Sequence, residues 1–145
     1  MARTIFPPTE APLTTRSIIL DASRCWRSAR DSHSPVQPAL YKALMVHSCA
    51  VLTPVLDSLL ALYETFLGRR FRAGASGQAD ISGDEHDLLD LLAHPDSSDD
   101  SLPHIGVNPG MAGALRIALR SARIMLRLAL EPGEQAPTLR ILAKA

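Results

Sequence analysis

The sequence predicts an all-α protein, an irregular bundle of about four helices whose long second helix is kinked at Pro54. Three observations lead there. Apolar residues fill 46% of the 145 positions and aromatics only 4%. Leu and Ala dominate, a composition suited to packed helices rather than to sheets rich in Val, Tyr and Thr. Apolar positions recur at three- and four-residue spacing in four separate stretches, each bracketed by helix start and stop signals.

Residues 1–13 read as a flexible, Pro- and Thr-rich arm. A single helical domain is expected over 14–131, one domain being what this length accommodates. Its first helix, about 15–31, starts at Thr14 or Thr15 and places Ile18, Ala22, Cys25, Trp26 and Ala29 on one face. The second, about 35–67, opens with Ser34, Pro35 and Gln37 in capping-box order and stops at Gly68, while Thr53-Pro54 marks a kink or restart within it. A flexible loop over 68–82 leads to a short third helix, about 83–94, announced by Ser82 and Glu85 in a second capping box. An acidic connector, 95–108, precedes the fourth helix, about 109–131, which opens at Asn108-Pro109 and ends at Glu131-Pro132-Gly133. Residues 132–145 form a C-terminal tail, too short for a stable isolated helix.

The fourth helix poses the functional question. Arg116, Arg120, Arg123 and Arg127 fall in a strip about 60° wide, with no acidic residue in 114–130. Apolar residues flank the strip on both sides (Leu115, Leu119, Ala122 and Leu126; Ile117, Ile124 and Leu128), which suggests a central helix. Unanswered, three consecutive Arg pairs cost the helix about 1 kcal/mol. Two intramolecular answers exist: the face of the second helix that aligns Thr53, Asp57 and Glu64, and the stretch from Asp80 to Asp100, which holds eight acidic residues and no Lys or Arg.

The functional answers follow from the same residues. The leading expectation is a non-enzymatic protein that acts by contact with another protein or with a second copy of itself, as an adaptor, a regulator or a self-associating unit, through Arg116, Arg120, Arg123 and Arg127. The alternative is a nucleic-acid binder that adds Arg69, Arg70 and Arg72 of "GRRFR", with Phe71 available to stack. The formal net charge of zero and the lack of interleaved aromatics weigh against it. A third reading places a metal on His86, Asp90 and His94, which recur every four residues, although the leucines opposite make a solvated face the simpler account. His47 reads as a partly buried histidine and Trp26 as a core anchor. No phosphate-cradling glycine loop, nucleophile elbow or thiol-enzyme pattern occurs, so no catalytic residue and no cofactor are expected. Cys25 and Cys49, outside any metal-type spacing, point to free thiols and a cytoplasmic setting. The N-terminal stretch lacks the apolar run of a secretory signal, and polar residues interrupt the apolar stretches, so no membrane contact is expected.

Overall fold

The computed structural model describes residues 13–93 and 109–130. The chain is all-α. Helix α1 covers Leu13–Asp31 and α2 covers Val36–Met45; a 3₁₀ turn, Ala50–Leu52, runs into α3, Thr53–Leu67; α4 covers Gly83–Ala93; a second 3₁₀ turn, Pro109–Met111, leads into α5, Ala112–Leu130. The expected arm, connector and tail, together with His94, lie outside the described residues apart from Leu13, which begins α1.

α1 buries Ile18, Ala22, Trp26 and Ala29, each one turn from the next, and packs against α2. α3 and α5 form the most extensive helix pair, while α4 bridges α1 and α5. Leu52, Leu56, Leu59, Leu60, Tyr63 and Phe66 of the α3 region meet Leu115, Leu119, Ala122 and Leu126 of α5 in one continuous core. The stretch Ala50–Leu67 is long and apolar enough to cross a membrane by composition, but here its leucines are the centre of that core. The Trp26 indole Nε1 donates to Asp57 across the α1–α3 contact, 2.9 Å away.

The single long helix expected over 35–67 is two helices. α2 closes after Met45 because Ser48 takes a left-handed conformation, φ 58°. Cys49 N–H then donates to Leu44 O and Ser48 N–H to Met45 O, the paired bonds of a Schellman closure. α1 ends the same way around His33, φ 57°, with Ser34 bonding Ala29 O and His33 bonding Arg30 O. The restart at Thr53 carries Pro54 in the first turn, where its missing N–H costs no bond. α3 stops at Gly68, φ 72°, as read from the sequence. The capping box expected at Ser34 does not form. α2 starts one residue later than the box requires, with Pro35 as N-cap and no side-chain cap; Ser34 Oγ instead meets Ser32 Oγ at 3.1 Å, and the Gln37 side chain donates to Asp57, 3.1 Å away.

The second capping box is present in full. Glu85 N–H donates to Ser82 Oγ, and Ser82 N–H donates to Glu85 Oε1. Glu85 does more than cap. Its carboxylate, wholly buried, receives Arg24 of α1 in a two-pronged pair at 2.8 and 3.1 Å and also accepts Gly74 N–H. Arg24 also donates to Gln78 O and Asp80 O. Asp84, its neighbour, pairs two-pronged with Arg69 and accepts Arg72 N–H. Residues 68–82, expected as a flexible loop, are therefore irregular but fastened at both ends to the first turn of α4. A β-carbon on Gly74 would stand 3.0 Å from the Arg24 guanidinium, so the loop's approach to Arg24 suits a glycine.

Candidate interaction surface

α5 is not the central helix that its apolar circumference suggests. Leu115, Leu119, Ala122 and Leu126 are buried on its inner side, but Ile117 is 68% exposed, Ile124 47% and Leu128 52%. With Ala114 and Ser121, also exposed, these residues sit at alternating three- and four-residue steps. That is the spacing of a coiled-coil seam, turned away from the core. Folded proteins expose single apolar side chains freely, but a row along one helix face marks a contact surface.

The arginines border this row on one edge only. Arg120 and Arg127 are exposed beside it, and Arg116 and Arg123 are half-buried between the row and the core. Arg123 reaches across to α4 and donates to Leu91 O, 3.0 Å away. The opposite edge is Ala118, Met125 and Ala129, without charge. The guanidinium strip read from the sequence is thus one rim of an apolar ridge.

Neither carboxylate of α3 answers the strip. Asp57 faces α1 and α2 through Trp26 and Gln37. Glu64 is taken by Arg27 and Arg30 of α1 and by Phe71 N–H. The expected lateral pairing of α3 with the strip is corrected: the polar edge of α3 turns toward α1, where Arg27 and Arg30 stand one turn apart. Of the acidic stretch, Glu85 and Asp84 are committed to Arg24 and Arg69. Asp96, Asp99 and Asp100 lie outside the described residues.

Electrostatics at the start of α4 follow the same partners. Burial raises the Glu85 carboxyl, but the Arg24 hydrogen bonds and those from Ser82 and Gly74 N–H prevail, leaving it below its ordinary value. Asp84 is pulled down likewise, burial being outweighed by Arg69 and Arg72 N–H. Asp87 goes the other way, raised first by burial and further by its acidic neighbours.

Two of the three arginines of the "GRRFR" cluster are paired within the fold. Arg69 pairs with Asp84 and Arg70 with Asp31, while Arg72, exposed, gives its backbone N–H to Asp84. Phe71, the stacking candidate, is 1% exposed and packs edge-on against Tyr63. His86 is half-buried and Asp90 exposed on α4; among the described residues no group of three His, Cys, Asp or Glu side chains is placed to hold a metal ion. His47 is half-buried and meets Asp21 at 2.7 Å. Cys25 and Cys49 are free, and burial pushes both thiols up, toward the unreactive protonated form.

Sequence reasoning named the four arginines and flanked them with the right apolar residues. It passed over Arg24, Arg27 and Arg30 of α1, whose three-residue spacing around Trp26 in "SRCWRSAR" was the available signal. The chain matches no known protein family, and comparison with curated proteins and with solved structures finds no similar protein.

Proposed function

We propose that this protein is a non-catalytic interaction module that docks an acidic amphipathic helix of another protein on the outer face of α5. The observation that carries the reading is the exposed row Ile117, Ile124 and Leu128 with Arg120 and Arg127 along a single edge. An apolar seam of this spacing accepts a second helix, each inserted side chain adding about 1–2 kcal/mol as its exposed part leaves water. The rim selects the partner. A helix with Glu or Asp beside its apolar stripe supplies the carboxylates that guanidiniums bind two-pronged. A second copy fits less well: antiparallel α5 helices set arginine rim against arginine rim, and parallel ones set it against Ala118 and Met125, so neither brings an acid.

The test uses a labelled 21-residue amphipathic peptide with Leu at its two seam positions and Glu on both flanks, and a counterpart with Lys in place of Glu. Fluorescence anisotropy should show saturable binding of the Glu peptide that is lost in the Ile117→Asp, Ile124→Asp protein, and none of the Lys peptide. Equal binding of both peptides, or of neither, overturns the proposal. Light scattering behind a sizing column supplies the other arm. A dimer that the same double substitution dissociates makes the occupant a second copy instead.

A further inference from the structure

A second site, lined by no residue of α5, lies where α1 ends and α2 begins. A pocket of about 520 Å³ opens there, lined by Arg27, Arg30 and Arg70 together with His33, Ser34 and Asp31. Val36, at the start of α2, supplies an apolar wall. The local charge does not balance. Three guanidiniums share two carboxylates: Arg27 contacts Asp31 and Glu64, Arg30 reaches Glu64 at 3.3 Å, and Arg70 contacts Asp31. Glu64 stands behind the pocket and holds Arg27 and Arg30 in place, while also accepting Phe71 N–H. Arg30 is stacked on the Trp26 ring, 4.7 Å from its centre, which restrains a side chain that would otherwise sweep through water.

We propose that this pocket binds a small-molecule phosphate monoester, its phosphate held by Arg30 and Arg70 and its organic part resting toward Val36. Guanidinium is the side chain best matched to phosphate oxygens, and a pair fixed on two different elements, α1 and the loop after α3, defines a position rather than a diffuse field. The volume lies in the range of small-molecule sites and exceeds what a bare phosphate fills. Ser34 adds a hydroxyl at the rim. Asp31 is the built-in competitor: it pairs with Arg70 and must give way to the phosphate.

That competition makes the proposal testable without losing the fold. Titration calorimetry of the full chain with glycerol phosphate should show one saturable site. Replacing Arg30→Gln together with Arg70→Gln should weaken it about a hundredfold, since each lost charge-assisted bond is a tenfold effect or more. Asp31→Asn should tighten binding several-fold, a gain that a purely structural Asp31 would not produce. Arg120→Gln with Arg127→Gln, on α5, should leave it unchanged. Circular dichroism checks folding; if the double variant is unfolded, Arg70→Gln alone, at a position 69% exposed, carries the loss arm.

Absence of saturation below about 10 mM, or an affinity indifferent to Asp31→Asn, overturns the site. Two further titrants fix the source of the phosphate. Inorganic phosphate binding as tightly as glycerol phosphate overturns the monoester, and a phosphoserine pentapeptide binding tenfold tighter overturns the small molecule in favour of a modified protein chain.

Discussion

Glu85→Gln is the substitution that most directly tests how this fold is held. The carboxylate is wholly buried and accepts four bonds: two from Arg24, at 2.8 and 3.1 Å, and one each from Gly74 and Ser82 N–H, both at 2.9 Å. Glutamine keeps the shape but removes the charge and turns an NH₂ toward groups that only donate. Arg24, 5% exposed, is left as an uncompensated buried cation. Breaking a buried pair from one side costs about 3–5 kcal/mol, a large share of the roughly 5–15 kcal/mol that holds a domain of this size. Urea unfolding followed by circular dichroism should therefore show a midpoint lowered by more than about 1 M. The double substitution Arg24→Met, Glu85→Met decides the reasoning. A pair whose only role is mutual neutralisation can be replaced by apolar residues at little loss. This one also satisfies Gln78 O, Asp80 O, Gly74 N–H and Ser82 N–H, so the double variant should recover less than half of the single loss. A Glu85→Gln cost under about 1 kcal/mol, or a double variant as stable as the parent, would refute the account.

Two other outcomes follow from local geometry and from charge. Ser48→Gly relieves a left-handed residue that costs roughly 1–2 kcal/mol with a side chain, against about 0.5–1 kcal/mol of extra unfolded-state entropy; thermal unfolding should show a net gain of about 0.5–1 kcal/mol, and a loss would mean that the Ser48 side chain matters in its own right. Glu85 and Asp84 titrate lower in the folded chain than in the unfolded one, so their contribution is full above about pH 5 and is lost as pH falls through their depressed values, with Asp87, shifted upward, giving back a little on the way. Urea midpoints measured from pH 6 to pH 3 should fall most steeply below about pH 4, and that slope should flatten in Glu85→Gln.

What the sequence made legible was whatever one helix decides for itself. Ser82 with Glu85 and Gly68 are local signals that act where the pattern places them, whereas Thr53-Pro54 only opens the first turn of α3, the chain having left the helix earlier, at Ser48. The buried stripe of α1 and the core placement of Trp26 follow from periodicity alone. Ser48 and His33 were illegible because residues of these types adopt left-handed geometry only when the surrounding chain requires it, and neither carries the mark that Gly68 does. Ser34 and Gln37 make a cap in the sequence alone; in the fold the N-cap is Pro35, Ser34 turns to Ser32 and the Gln37 side chain to Asp57, twenty residues away. The same limit governs the surface of α5. Its two apolar flanks look alike in the sequence, and only the packing of α3 and α4 decides that Leu119 is inside and Ile117 outside. Ion pairs between helices were the least legible of all: Asp57 and Glu64 align along one edge of α3, but nothing in their spacing says that α1 rather than α5 lies opposite.

The chain holds a single tryptophan. Trp26 is fully buried, its indole N–H held by Asp57 and its ring covered by Arg30, one of the guanidiniums that line the pocket between α1 and α2. The molecule therefore carries its own optical reporter at a position that senses two separate events. Loss of the core exposes the indole to water and shifts its emission to longer wavelength, whereas an anion paired with Arg30, which stays stacked on the ring, changes the local field and hence the intensity while the indole stays buried. Wavelength and brightness, read together in unlabelled protein, would separate unfolding from anion binding at the proposed pocket.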